Sequence, residues 1–296
     1  MPILHDFDYF KPTTVDETLS LLSRFNNTAI LAGGTDLIVN LKQGTATPEA
    51  VIDIKGLDEL KVIKFENNRL SIGALVTFSE LLESEIISEK FPLIMETSKT
   101  VGSVGIRNRA TMVGNICSAV PSMDSGPPLC VYDADILVRG SGGERKIPVS
   151  GWFLEPGETS IKGGEFVTGI SIPFPDKKHA GCYVRLGRYA GEDLAQVSIA
   201  ILARSDNSYR IAFGAVAPVP VRAKQIEALL NGKKLNNSLI QQAKGIVPEE
   251  IAPISDIRAS KEYRMHIAKV MFERGIKAAV DRLNGHGPEY GTNLLE

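Results

Sequence analysis

The chain has 296 residues, of which 43% are hydrophobic and 23% are charged, and its formal net charge is −2. This length can bury more than one core, so two domains are expected. The scattered Lys and Arg residues argue against a nucleic-acid-binding surface. The N-terminus lacks a signal-peptide pattern, and no apolar run reaches the roughly 20 residues of a membrane span. The composition therefore predicts a cytoplasmic protein with no membrane contact.

The cysteines and histidines do not predict a metal site. Cys117, Cys130 and Cys182 are odd in number and far apart, which argues against a disulfide framework and against a zinc or iron–sulfur site. The four histidines show neither HxxxH nor HxxE spacing. We expect three buried, reduced cysteines and no metal ligand from this chain.

The first half of the chain mixes helices with short strands. Capping boxes at residues 14–17 and 77–80 each begin a helix. The other elements predicted here are strands at 28–32, 51–54 and 70–74, a helix at 35–42, and a helix from Pro92 to Lys99. Residues 101–128 are rich in Gly, Ala, Ser and Pro and weak in periodicity, so they predict either a functional loop or elements that the pattern conceals.

The second half places strands before helices. Strands are predicted at 132–139 and 166–172, and the Pro-rich segment 173–178 predicts a domain boundary. Beyond it, the pattern predicts strands at 182–187, 195–204 and 209–217, and helices at 221–230, 238–246 and 259–283. Strands in clusters followed by helices favour the α+β class over a doubly wound sheet.

The segment ILAGGTDL, residues 30–37, predicts a site for an anionic group. A strand that ends in two glycines and turns into a helix surrounds a small concavity with backbone N–H groups, and a phosphate can approach them closely. Alone, the pattern is also typical of an ordinary tight turn in which Thr35 or Asp36 caps the helix.

A second small-residue segment, residues 106–128, strengthens this interpretation. Thr111 and Asn115 can donate to phosphate or ribityl oxygens. Asp124 can accept a hydrogen bond from a sugar hydroxyl, or it can cap the turn before Gly126. Two such segments together predict a groove that holds opposite sides of one dinucleotide.

These two segments resemble the paired FAD-binding motifs of the flavin subunits of molybdenum hydroxylases, the family of carbon monoxide, nicotinate and xanthine dehydrogenases. The first family motif reads AGGTDL, as residues 32–37 do, and the second reads IRN-x-AT-[IL]-GGN followed by S-P-x-x-D, which residues 106–124 match with gaps. Residues 7–12 resemble the opening of the family and residues 213–232 its C-terminal domain. The resemblance thus covers about residues 5–285.

The resemblance implies an α+β fold with a two-lobed FAD-binding domain of the vanillyl-alcohol-oxidase (PCMH) type at 1–175, its lobes at about 1–55 and 56–175. A smaller α+β C-terminal domain would follow at 178–286. It also implies that Asp124 binds the ribityl chain and that Arg185 lies near the isoalloxazine, where a cation stabilises the reduced flavin. The alternative interpretation is that Arg185 is an ordinary strand residue whose side chain faces solvent. The implied cofactor-binding residues are Ile30, Leu31, Ala32, Gly33, Gly34, Thr35, Asp36, Val101, Ala110, Thr111, Val113, Gly114, Asn115, Asp124 and Arg185.

The sequence departs from the family pattern at two positions. Val113 stands where the family has the first of two glycines, which puts one close backbone contact in doubt, and Gly105 stands where the family often has Gln. Relatives with covalent flavin attach it through His, and no His is near either motif, so non-covalent FAD is expected.

The resemblance further implies that the chain passes electrons from [2Fe-2S] clusters of a small partner subunit through FAD to NAD or NADP, rather than to a quinone or oxygen. A large partner subunit would hold the molybdenum cofactor and hydroxylate an aromatic N-heterocycle such as nicotinate or a purine. No catalytic residue is expected in this chain, because the transfer depends on positioning. The alternatives are a standalone FAD-dependent oxidoreductase of the same fold and a non-catalytic nucleotide-binding assembly subunit.

Overall fold

The computed structural model describes residues 2–189 and 192–295, and combines three main sheets with flanking helices. The strands are β1 (Asp8–Phe10), β2 (Thr28–Leu31), β3 (Ala50–Asp53), β4 (Ile63–Glu66), β5 (Arg69–Gly73), β6 (Asp135–Gly140), β7 (Gly143–Pro148), β8 (Phe153–Glu155), β9 (Glu158–Thr159), β10 (Phe166–Pro173), β11 (His179–Leu186), β12 (Val197–Arg204), β13 (Tyr209–Gly214) and β14 (Val221–Arg222). The helices are α1 (Val15–Arg24), α2 (Leu37–Gln43), α3 (Phe78–Glu83), α4 (Glu85–Lys90), α5 (Pro92–Thr100), α6 (Val104–Arg107), α7 (Met112–Ser118), α8 (Gly126–Val131), α9 (Lys224–Leu230), α10 (Asn237–Glu250) and α11 (Lys261–Asn284).

The N-terminal sheet is parallel, in the order β1-β3-β2. Helix α1 connects β1 to β2, and α2 connects β2 to β3, because parallel neighbours require crossover connections. The Thr14 side chain accepts the Glu17 N–H at the start of α1, as the capping pattern predicts. β3 is buried along its length and forms the centre of this sheet.

The second sheet is antiparallel, in the order β4-β5-β10-β6-β7. β4 and β5 form a hairpin whose turn residues, Asn67 and Asn68, both have left-handed φ values of 51° and 55°. Such turns match the twist of the flanking strands and favour Asn. Six helices, α3 to α8, lie in the chain between β5 and β6, and two of them, α5 and α8, contact the C-terminal sheet.

The loop interpretation of residues 101–128 is wrong, because this stretch contains α6, α7 and α8. These helices are four to seven residues long, and α8 is buried on every side, so neither length nor amphipathic periodicity reveals them. Their caps do carry a signal: Ser103 and Thr111 each accept a backbone N–H three residues ahead.

The C-terminal sheet is antiparallel, in the order β11-β12-β13-β14, and is covered on both faces. Helices α5 and α8 contact it on one side, and α9 and α11 contact it on the other. The helix predicted at 221–230 begins as a strand instead, because Val221 and Arg222 pair with β13 before α9 starts at Lys224.

Two apolar cores hold the molecule together. The first joins both N-terminal sheets and extends to one face of the C-terminal sheet through Tyr183, Ala200 and Leu202. The second lies between the opposite face and helices α9 to α11. The predicted α+β class is confirmed. Among the described residues, no helix has the length and apolar character needed to cross a membrane.

Candidate functional site

The first motif forms a turn that packs directly on the second motif. Gly34 has a φ of +78°, a conformation that L side chains rarely adopt. A Cβ on Gly33 would lie 2.0 Å from the backbone oxygen of Arg109, so only glycine fits there. The two small-residue segments therefore touch through their main chains, as the sequence predicts.

A side-chain contact also joins the two motifs. Asp36 occupies the N-cap position of α2 but makes no capping hydrogen bond. Its carboxylate accepts instead from the Ser118 hydroxyl at 2.5 Å, at the end of α7. The alternative interpretation of Asp36 as an ordinary cap is thus wrong, and the Asp36 side chain fixes the distance between α2 and α7.

The second motif directs its polar groups largely inward. The Thr111 hydroxyl oxygen accepts the Gly114 N–H at 2.9 Å, so this N–H is not free to bind a phosphate. The Asn115 side-chain oxygen accepts the N–H of Ser125 at 3.1 Å and holds the loop that carries Asp124. Two donors of this motif are left to bind a ligand in the cleft beside Gly114. They are the Thr111 hydroxyl hydrogen and the Asn115 side-chain amide nitrogen.

The two motifs open onto one cleft of about 1010 Å³, lined by residues of both N-terminal sheets and of β11. Every predicted site residue except Leu31 lines this cleft. Leu31 instead pairs with Asp53 in the sheet, and its side chain packs under the turn, where a Cβ on Gly34 would meet it at 2.7 Å. The predicted convergence of the two motifs is what the structure shows.

The positions that depart from the family pattern have different surroundings. Val113 is only 4% exposed within the first turn of α7, where its side chain contributes to the core and to the cleft wall. Gly105 is exposed on α6 and does not line the cleft.

Cys117 is exposed and lines the cleft, so the prediction of three buried cysteines is wrong at this position, whereas Cys130 and Cys182 are buried.

A buried ion pair lies at the C-terminal side of the cleft. Arg185 donates from Nε to Asp124 Oδ1 at 2.9 Å, and the two side chains are only 11% and 10% exposed. The Tyr183 hydroxyl donates to the same oxygen at 2.7 Å, and Arg185 also bonds the backbone carbonyl of Asp193. The solvated-strand interpretation of Arg185 is therefore wrong. Burial raises the pKa of the Asp124 carboxyl, and its contacts with Arg185 and Tyr183 limit that rise.

Some residues at or beside the cleft are not among the predicted site residues. Tyr183 does not line the cleft, but its hydroxyl bonds Asp124, which does, and its spacing of two residues from Arg185 on the same face of β11 could have indicated it. The cleft lining also includes loop residues with no recognisable motif, among them Lys162, Arg188, Glu192, Leu194 and Arg258.

These features suit a long ligand with an anionic centre. The cleft volume is at the upper end of the range for small-molecule sites, which fits a dinucleotide better than a small metabolite. Gly33 and Gly34 line the cleft with main chain alone, which suits a diphosphate, and Val101, Ala110 and Val113 provide apolar wall for a ring system. The residues present therefore fit FAD.

Comparison with known proteins agrees with this geometry. Residues 5–175 match the model of the FAD binding domain in molybdopterin dehydrogenase. The chain belongs to this family of flavin subunits of molybdenum hydroxylases. Residues 182–279 match the CO dehydrogenase flavoprotein C-terminal domain. The family resemblance predicted from the sequence is thus confirmed.

Individual members of the family match along nearly their whole length. A putative xanthine dehydrogenase FAD-binding subunit of Escherichia coli is 31% identical over 95% of this chain and 99% of its own. The glyceraldehyde dehydrogenase medium chain of Sulfolobus acidocaldarius is 34% identical over 92% and 98%. Carbon monoxide dehydrogenase from Hydrogenophaga pseudoflava is a structural match, with a TM-score of 0.91 at 30% identity over 95% of this chain and 99% of that one.

Proposed function

We propose that this chain binds FAD non-covalently in the cleft and acts as the electron-transfer subunit of a cytoplasmic, heteromeric molybdenum hydroxylase of the xanthine- or nicotinate-dehydrogenase type. The observation that carries the proposal is the main-chain contact between Gly33 and Arg109, which brings both motifs to one cleft. FAD supplies the chemistry of accepting electrons singly and releasing them in pairs. Residues 1–175 would form the FAD-binding domain and residues 178–286 the C-terminal domain.

In this proposal, each group of cleft residues has a separate task. The turn from Ala32 to Asp36 and the Thr111–Asn115 segment grip the diphosphate from two sides, and Val101 packs against the ring system. Asp124 accepts from a ribityl hydroxyl, and Arg185 provides the cation near the flavin. Because these two side chains already pair with each other, FAD meets a nearly neutral, pre-organised dipole rather than two free charges.

Two further observations support non-covalent binding and a need for partners. Among the residues described, those that line the cleft include no histidine for a covalent link. Within the same residues, no group of three or more His, Cys, Asp and Glu side chains is placed to hold a metal. The [2Fe-2S] clusters and the molybdenum cofactor would therefore belong to a small and a large partner subunit, and NAD or NADP would accept the electrons.

The proposal is tested by isolating the complex through a tag on this chain. We expect a yellow preparation that releases FAD on denaturation, together with iron, molybdenum and two further polypeptides. Reduction by the substrate of the complex should appear in the flavin absorption and be reversed by NAD or NADP. A yellow chain that purifies alone and turns over a substrate would favour the standalone oxidoreductase, and a colourless chain would contradict FAD binding altogether.

A further inference from the structure

Three backbone groups at the edge of the C-terminal sheet are hydrogen-bonded to side chains of other elements. β11 is the edge strand, so the backbone groups of Gly181 and Tyr183 point away from β12. The Tyr183 N–H donates to Glu96 at 2.7 Å, the Gly181 oxygen accepts from Arg282 at 2.9 Å, and the Gly181 N–H donates to the Tyr290 hydroxyl at 3.2 Å. The three successive backbone groups that face away from β12 are thus each hydrogen-bonded to a side chain, although an edge strand leaves such groups without a strand partner.

Two of these partners form a buried ion pair that bridges distant parts of the chain. Glu96 on α5 and Arg282 on α11 lie 2.9 Å apart, and their side chains are 3% and 4% exposed. The C-terminal segment closes over them, because the Gly291 N–H donates to Glu96 at 2.8 Å and the Tyr290 ring lies 4.0 Å from the Arg282 guanidinium. Glu96, Arg282 and Tyr290 are called the edge clamp below.

Tyr183 links the edge clamp to the cleft by hydrogen bonds at both of its ends. Tyr183 gives its backbone N–H to Glu96 and its hydroxyl to Asp124, so its two ends bond the clamp and the cleft respectively. Arg185 follows two residues later on the same face of β11 and bonds the same Asp124 oxygen. Any sliding or rotation of β11 at Tyr183 would therefore displace both donors from Asp124.

We propose that Glu96, Arg282 and Tyr290 are positioning residues that fix Arg185 and Asp124 relative to the bound flavin. This inference rests on the proposed binding of FAD in the cleft. None of the three clamp residues lines the cleft, and each of them bonds a backbone group of β11, through which they act on Arg185 and Asp124. The buried ion pair then acts by holding β11 in place rather than by its charge.

The test is the midpoint potential and the FAD dissociation constant of the full chain carrying Glu96→Gln. A direct Coulombic effect predicts a more positive potential, because removing a negative charge favours the reduced flavin. Positioning predicts the opposite sign, because Arg185 moves away from the flavin, together with FAD binding weakened by about tenfold. The matched control is Glu273→Gln, which alters a carboxylate of α11 that pairs with Lys244 and Lys277 and should leave both quantities unchanged.

Tyr290→Phe extends the test without altering any charge or the ion pair. It removes only the hydroxyl that accepts the Gly181 N–H, so it should shift the potential in the same negative direction by a smaller amount, even if Glu96→Gln fails to fold. An unchanged potential and affinity in Tyr290→Phe, or a positive shift in Glu96→Gln, would overturn the inference. Failure of the wild-type chain to bind FAD would instead contradict the proposed function, so the two failures are distinguishable.

Discussion

At the scale of single residues, the distance between the two motifs depends on Gly33. Its α-carbon leaves no room for a methyl group, because the nearest atom to an added Cβ would be the Arg109 backbone oxygen at 2.0 Å. A backbone atom cannot rotate away as a side chain can, so the two segments would have to separate. The glycine is therefore required by packing between the motifs.

We expect Gly33→Ala to lower the free energy of unfolding by about 1–3 kcal/mol and to weaken FAD binding at least tenfold. Chemical denaturation and quenching of flavin fluorescence measure these two effects. The matched control is Gly245→Ala in α10, where an added Cβ meets nothing within 4 Å and FAD binding should be unchanged. Normal FAD affinity in Gly33→Ala would show that the main-chain contact between the motifs is dispensable.

The buried pair Asp124–Arg185 gives a second prediction at this scale. Asp124→Ala leaves the Arg185 guanidinium buried without its carboxylate, so we expect the free energy of unfolding to fall by about 3–5 kcal/mol. Asp58→Ala breaks an ion pair with Lys61 whose aspartate side chain is 89% exposed, and it should leave the stability unchanged. Urea titrations of both variants make the comparison, and equal losses would mean that burial of the pair is energetically irrelevant.

The sequence reveals some site residues and conceals others for physical reasons. Gly33, Gly34 and Asp124 belong to short motifs whose residue types are themselves the signal. Arg258 reaches the cleft only through the packing of the C-terminal sheet and its loops, and no local pattern encodes that placement. The spacing of Tyr183 from Arg185 is a local signal, but its bond to Asp124 depends on the packing of β11 beside the loop that carries Asp124.

At the scale of elements, helix α7 depends on the hydroxyl of Thr111. This oxygen accepts the Gly114 N–H at 2.9 Å and so begins the helix that presents the second motif to the cleft. Thr111→Ala should lower the free energy of unfolding by about 1 kcal/mol more than Thr111→Ser does, because both lose the methyl group and only one loses the cap. FAD affinity should follow the same order in equilibrium binding. Equal stabilities would show that the cap is dispensable.

The elements that the sequence predicts best are those with local signals. The capping box at Thr77 and Glu80 is present in full, with both reciprocal hydrogen bonds. By contrast, β1 is three residues long and pairs with β3, which is distant in the chain, so its sequence carries little strand periodicity. β4 does alternate apolar and polar residues, but it spans only four residues. The boundary between β14 and α9 is similarly decided by pairing with β13.

At the scale of the whole molecule, the cleft draws its walls from all three main sheets and their loops. The first core already joins these parts, and Arg222 adds a connection by donating to the Cys130 oxygen and to Asp133 while it pairs with Glu227. Periodicity predicted strands in each of the three main sheets but not their order. The meeting of two motifs about 70 residues apart was predicted from their residue types and from the family resemblance, because the topology that joins them is not encoded in local periodicity.

A ligand bound across such a cleft stabilises every part that contacts it, which gives the last prediction. At free FAD one hundred times above its dissociation constant, the free energy of unfolding should rise by about 2.7 kcal/mol. Riboflavin at the same concentration should stabilise far less, because it lacks the diphosphate and the adenosine that the two motifs are expected to hold. Thermal unfolding of FAD-depleted protein with each ligand measures the difference, and Gly33→Ala should reduce the response to the same FAD concentration. Equal stabilisation by riboflavin and FAD would mean that the motifs do not bind the diphosphate.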